Sequence, residues 1–213
     1  MRGRRQVRAV PRRVSRLKRK LPLNYHQFTR YSDAVTTTTT SVTEQLTYQF
    51  QLTDVIQYTE FTTLFDQYKI RMVEFHIQMI SNPDATWLTN DATASANNTV
   101  NFYPKFWYIK DYDGGGSDSL SEIKQRVGVK FIVMKPNKTY IIMLQPKVLV
   151  QTYKTLTSTG YGPKSMFIDC SSPDVPHYGL NAVIDCLGLN PADATGFRFR
   201  VEYKFHLGFK GVR

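Results

Sequence analysis

The sequence predicts an all-β fold: a single eight-stranded jelly roll, two packed four-stranded antiparallel sheets, with a basic N-terminal arm. Three observations predict it. Several long stretches alternate strictly between apolar and polar residues, the period of a half-buried strand. Tyr and Phe number 13 each and threonine runs are frequent, a composition that favours strands. The loops between stretches are too long and uneven for a simple meander, which suits two sheets packed face to face. With 213 residues, 41% of them hydrophobic, the chain can bury one domain core.

The chain starts with residues 1–20, MRGRRQVRAVPRRVSRLKRK. Ten of these are basic (Arg2, Arg4, Arg5, Arg8, Arg12, Arg13, Arg16, Lys18, Arg19 and Lys20) and none is acidic. Of 28 basic residues, 18 remain after the arm, against all 17 acidic ones. The net charge of +11 therefore divides into +10 on the arm and +1 on the body. Such an arm points to a polyanion, nucleic acid before anionic membrane. Val7, Val10, Val14, Leu17 and Leu21 follow a helical spacing that Pro11 interrupts. Mutual repulsion of the charges favours disorder in the free arm and folding on binding.

Residues 21–33 read as a connecting arm with aromatic anchors, and residues 34–213 as the jelly-roll domain. Val35 to Leu52 is β-branched and ends in clean alternation, with Leu46, Tyr48, Phe50 and Leu52 on one face. Phe61, Leu64, Phe65 and Tyr68 fall at helical spacing and predict a short helix. Lys69 to Ser81 alternates again, with a slip near Val73 that fits a bulge. Residues 82–100 are polar and read as a loop. Asn101 to Lys110 is a strand, Asp111 to Ser119 a glycine-rich turn, and Leu120 to Gln125 a helical turn. Val127 to Met134 and Thr139 to Gln151 are strands, and residues 152–165 a long loop. Ser165 to Cys170, Tyr178 to Cys186 and Gly196 to Phe209 complete the strands. In the last, Phe197, Phe199, Val201, Tyr203, Phe205, Leu207 and Phe209 face one way; Arg198, Arg200, Glu202, Lys204 and His206 face the other.

Cys170 and Cys186 are too few for a disulfide framework and read as reduced, buried thiols. No apolar run approaches the ~20 residues of a membrane span, and no apolar segment follows the basic start as in a signal peptide. The reading is a cytosolically made protein without membrane insertion. Asp111, Asp113, Gly116 and Glu122 partly match a calcium loop, but Gly115 offers no side-chain ligand, so a glycine turn with solvated acids is the better reading. His177 with the two cysteines lacks zinc spacing and a fourth ligand. No nucleophile elbow or P-loop occurs. The chain reads as a non-enzyme with no metal and no cofactor.

Several segments carry a family resemblance: Phe61-Thr-Thr-Leu-Phe-Asp-Gln-Tyr-Lys-Ile-Arg-Met-Val-Glu-Phe75, the aromatic-acid stretch Trp107 to Asp113, Thr139-Tyr140 through Lys147, and Val175-Pro-His-Tyr-Gly-Leu180. Their order, with the terminal alternating strand and the arginine-rich start, resembles the capsid proteins of circovirus-like viruses, which have circular single-stranded DNA genomes. The resemblance implies a homo-oligomer, a small icosahedral (T=1-like) shell of about sixty copies with the arms inside on the genome. It also implies a virion protein that passes through host nucleus and cytoplasm. An import receptor and a cell-surface attachment factor are then expected partners.

The chemistry fits that expectation. Guanidinium forks bind phosphate bidentately and counterion release supplies affinity without reading sequence. A nearly neutral body lets copies pack without mutual repulsion. Arg12, Arg13, Arg16, Lys18, Arg19 and Lys20 also fit a nuclear localisation signal. Trp87 and Tyr161, aromatic residues in polar loops, are the candidate subunit-interface anchors, whereas mid-strand Trp107 is expected in the core. A non-capsid basic-tailed nucleic-acid-binding protein is the main alternative, but such proteins spread their charge over a folded surface. A jelly-roll carbohydrate-binding module is a weaker one, having no use for the arm.

Overall fold

The computed structural model describes residues 24–39, 43–80, 103–114, 116–155, 158–186 and 197–212. Twelve strands and two α-helices occur among them. In chain order these are β1 (Tyr25–Tyr31), β2 (Val35–Thr39), β3 (Thr43–Phe50), α1 (Tyr58–Leu64), β4 (Phe65–Met79), β5 (Lys105–Ile109), α2 (Leu120–Gln125), β6 (Lys130–Val133), β7 (Thr139–Leu144), β8 (Val148–Lys154), β9 (Thr159–Lys164), β10 (Ile168–Asp169), β11 (His177–Asp185) and β12 (Phe197–Val212).

Two sheets form the body. Sheet I has β12 and β4 at its centre, antiparallel over almost their whole length. On the outer edge of β12, β1 pairs with Lys204 to Lys210 and β2 with Phe197 to Val201. On the outer edge of β4, β7 pairs with Val73 to Gln78 and β10 with Gln67 and Tyr68. Six strands thus fill a sheet that is four strands wide, because each edge position is shared by two short strands. Sheet II has the order β3-β11-β5-β6. A separate ribbon, β8 with β9, stands outside both sheets.

The pairing is nested. β5 pairs with β6, β4 with β7, β3 with β11, and β1 and β2 with β12. The chain is one long hairpin rolled into two facing layers, the jelly roll that the alternation predicts. Counting β1 and β2 as one edge strand, the nested partners among the described residues number eight, but they are not the eight expected: Val35 to Leu52 divides into β2 and β3, and Ser165 to Cys170, expected as one of the eight, supplies only β10 outside the nest. β8, β9 and β10 are additions between β7 and β11.

The core lies between the sheets and is rich in aromatic rings set among aliphatic side chains. Phe209 is fully buried, stacked on Phe61 at 4.9 Å and close to Phe65 at 5.0 Å and Phe28 at 5.7 Å. Phe75 lies 4.6 Å from Tyr48 and 6.0 Å from Phe106, joining the two sheets. Each buried phenylalanine contributes about 1.5–3 kcal/mol by leaving water. The alternation expected for β12 holds: Phe197, Phe199, Val201, Phe205, Leu207 and Phe209 are buried and Tyr203 is half-buried.

Several boundaries differ from expectation. The segment 21–33 is more than a connecting arm, since it supplies β1, whose Phe28 enters the aromatic cluster. The helix sits earlier, at Tyr58–Leu64, and Phe65 to Tyr68 begin β4 because long pairing with β12 outweighs the local helical spacing. The slip in β4 is a bulge at Arg71, between the pairs Met72 with His206 and Ile70 with Leu207. It turns Val73 inward and leaves Met72 half-buried. Thr139 to Gln151 is two strands, broken at Gln145-Pro146-Lys147, where proline has no N–H to donate. The expected loop 152–165 instead contains much of the β8–β9 hairpin. Among the described residues no helix is long and apolar enough to cross a membrane. The polar loop at 82–100 lies outside the described residues.

Candidate nucleic-acid interface

All ten basic residues of the arm lie outside the described residues. The structure does fix where the arm joins the body. Tyr25 pairs with Lys210, so the arm departs from an edge of sheet I near the end of β12. Around that root the Tyr25 ring meets Phe167 edge-on at 6.1 Å. The Lys210 ammonium lies 3.9 Å from the centre of the Phe167 ring and the Lys69 ammonium 5.7 Å from it.

Beyond the root, the solvent face of sheet I carries an ion cluster. Glu74 on β4 stands beside Lys204 on β12. His206 Nε2 lies 2.7 Å from Glu74 Oε1, Lys204 Nζ donates to the same oxygen at 3.2 Å, and His76 Nε2 lies 3.4 Å from Oε2. The hydrogen bond with His206, helped by Lys204 and His76, holds the Glu74 carboxyl down at about 2. The cluster needs β4 and β12 side by side, so its members are remote in sequence.

The solvent face of sheet II is covered over its middle strands, β5 and β11, while β3 and β6 stay exposed on that side. α2 lies across it and buries Ile123 completely. Arg126, after α2, donates to Asp111 Oδ2 at 2.8 Å and to Asp118 Oδ1 at 2.7 Å. Asn181 of β11 donates to Asp118 Oδ2 at 3.1 Å. Ser119 and Glu122 cap the first turn of α2 reciprocally. The acids of the apparent calcium loop are therefore engaged, not simply solvated: Asp111 and Asp118 hold Arg126, and Glu122 caps a helix. Burial and the neighbouring Asp113 carboxyl push Asp111 above the ordinary carboxylate range despite Arg126.

The remaining sequence candidates are scattered. Trp107 is not between the sheets but on the outer side of sheet II, 4.8 Å from Phe131 and with the Lys124 ammonium 5.0 Å over its ring. Cross-strand pairing with Val183, rather than with the inward residue Ala182, puts it there. Tyr161 stands on β9, 62% exposed, with Tyr153 of the same ribbon 59% exposed. Trp87 lies outside the described residues. His177 is buried beside Tyr68, and burial lowers it to about 4. Cys170 and Cys186 are both buried, and burial pushes the Cys186 thiol up to about 12. Among the described residues no group of three or more His, Cys, Asp or Glu is placed to hold a metal ion.

The fold and its basic arm can be set against known proteins. A family model described as circovirus capsid protein matches residues 1–213, the whole chain, arm included. The chain belongs to the circovirus capsid protein family. It is a capsid protein, with the structural role and virion location that follow. Among solved structures, the 60-mer BFDV capsid protein aligns with a TM-score of 0.61 at 13% identity, over 90% of this chain and 96% of that one. The decameric BFDV capsid protein aligns with a TM-score of 0.52 at 12% identity, over 87% of this chain and 99% of that one. At such identities these likenesses show the shared jelly roll. No curated protein matches the chain.

For this capsid protein, sequence reasoning found the arm by its charge and missed the Glu74 cluster. The available signal was two outward-facing runs, Glu74 with His76 and Lys204 with His206, on strands that alternate cleanly. Their register was not readable from either strand alone.

Proposed function

We propose that the chain self-assembles into a small icosahedral shell and packages circular single-stranded DNA through Arg2 to Lys20. One observation carries this reading: +10 of the net +11 charge lies in residues 1–20, on a body of +1. A body so balanced can pack against copies of itself while the arm neutralises phosphate. The BFDV capsid protein, solved as a 60-mer, supports the shell, since it shares the jelly roll. The same arm cluster, Arg12 to Lys20, serves as a nuclear localisation signal for a host import receptor. Tyr161, on the projecting ribbon, and Trp87 are anchors between subunits, and loops on the outer surface meet an attachment factor.

The test is a full-length variant with all ten arm cations changed to Gln, imaged by electron microscopy and assayed for copurified nucleic acid. Wild type forms uniform small spheres with nucleic acid, and the variant loses most of that nucleic acid while its body folds. For the wild-type arm the salt slope on single strands reaches at most about −7. Soluble monomers under all salt and pH conditions would overturn the shell; normal packaging by the variant would overturn the arm.

A further inference from the structure

The near neutrality of the body hides a division of charge that only the sheet register exposes. Cross-strand partners share a face. On the solvent face of sheet I, Lys69, Glu74, His76 and Gln78 of β4 stand beside Gly208, Lys204, Glu202 and Arg200 of β12. Arg71, the extra residue of the bulge, is exposed, and so are Arg198 and Arg200. Lys210 pairs with Gln67, which also pairs with Asp169. The face thus holds six basic residues (Lys69, Arg71, Arg198, Arg200, Lys204, Lys210) and three acidic ones (Glu74, Asp169, Glu202), a net +3. The rest of the body has 12 basic residues against 14 acidic ones, a net −2. One of the three acids, Glu74, is already held by Lys204 and His206.

This face is continuous with the arm's root. Tyr25, where the arm meets the body, lies on it with Phe167, Lys69 and Lys210. The opposite sheet carries α2 and its acidic turn over its middle strands, so acidic groups sit at the centre of that face. We infer that the solvent face of sheet I is a second single-stranded nucleic-acid surface. It continues the arm's path from Tyr25 and Phe167 across Arg71 towards Arg198 and Arg200. The inference rests on the arm reading above and adds where the captured strand runs next. Backbone phosphates meet the Lys and Arg heads, and at the root the rings of Tyr25 and Phe167 give bases a partner for stacking, which is tolerant of sequence. Ile141 and Met143 of β7, which pair with His76 and Glu74, are also exposed on this face, but the cations run past them from the rings at the root to Arg200, and that combination suits a single strand. An anionic membrane would not need the rings.

The test measures binding of a fluorescent oligothymidylate to the full-length chain against salt, by anisotropy. Three full-length variants are compared: Lys69→Gln/Arg71→Gln/Lys210→Gln on the face, the ten-Gln arm variant, and, as a control, Lys105→Gln/Lys130→Gln on sheet II with Lys135→Gln in the loop after β6. The face variant is expected to flatten the salt slope by about 2, near 0.7 per lost contact, and the control to leave it unchanged. Photocrosslinking of the wild type is expected to label Tyr25 or Phe167. If the face variant misfolds by thermal unfolding, Arg198→Gln/Arg200→Gln replaces it, with an expected flattening of about 1.4. A face variant that behaves like the control while the arm variant loses binding overturns this inference and leaves the arm reading intact. An arm variant that binds like wild type while the face variant weakens overturns the arm reading alone. Loss of sedimentation with anionic phospholipid vesicles, with the oligothymidylate slope unchanged, assigns the face to membrane and overturns the inference.

Discussion

Glu74 shows how a single residue couples two strands. Its carboxylate is largely shielded and accepts from or pairs with His206, Lys204 and His76. These partners favour the charged form, so the folded state holds Glu74 near 2 against an ordinary value of 4.5. A depressed carboxyl contributes stability that is fully present above its unfolded value and is lost as pH falls through the folded one. The window is therefore from about 4.5 down to about 2. Glu74→Gln is expected to cost about 1–3 kcal/mol at neutral pH, since hydrogen bonds to a charge are lost. Urea unfolding of both proteins at several pH values checks this. The gap between wild type and variant should be open at pH 4.5 and close as pH falls towards 2; a gap that stays open down to pH 2 would show that the carboxylate's charge contributes nothing.

At the scale of elements, α2 is a short helix that stays in place because of what surrounds it. Six residues are too few for a helix stable in water. The Ser119–Glu122 capping box satisfies its first N–H groups, Ile123 anchors it on sheet II, and Arg126 ties its far end to Asp111 and Asp118. Arg126→Met removes that tie and leaves Asp118, 7% exposed, with Asn181 as its remaining side-chain partner. The expected cost is about 1–3 kcal/mol. Hydrogen exchange should quicken between 111 and 126 and stay unchanged in β4 and β12; uniform quickening would mean the tie stabilises the whole body instead. Elements were legible in the sequence to the extent that their own pattern decided them. β12 was, because one face is buried and the other solvated along its length, and α2 was, because leucine, isoleucine and polar residues fall within one turn. β1 was not, because its tyrosines and phenylalanine mark anchoring without period. The break between β7 and β8 was hidden by the apolar, β-branched residues on both sides of Pro146. The arm was legible because charge needs no partner to be seen. The basic face of sheet I was not, because it is assembled from β4 and β12, whose register is set by tertiary pairing.

The whole molecule is a rolled hairpin, and that topology orders its folding. The innermost pair, β5 with β6, joins Phe106 to Ile132; the outermost, β1 with β12, joins Arg30 to Phe205. The outer loop is roughly seven times longer, so closing it first would cost about 1.7 kcal/mol more entropy. Each inner pair shortens the effective loop for the next, because the ends of β4 and β7 are brought together once β5 and β6 are paired. Protection should therefore grow outwards, with β5, β6, β4 and β7 first and β1 and β2 last, and the non-local pairing makes folding slow. This order also suits a shell protein. The basic arm stays tethered to the last edge to close, so the strand β1 that carries it docks only onto a formed sheet I. Pulse-labelling hydrogen exchange during refolding measures the sequence directly. Early protection in β1 and the adjoining half of β12, ahead of β5 and β6, would show that the aromatic cluster of Phe28, Phe61, Phe65 and Phe209 nucleates the fold and that loop entropy does not set the order.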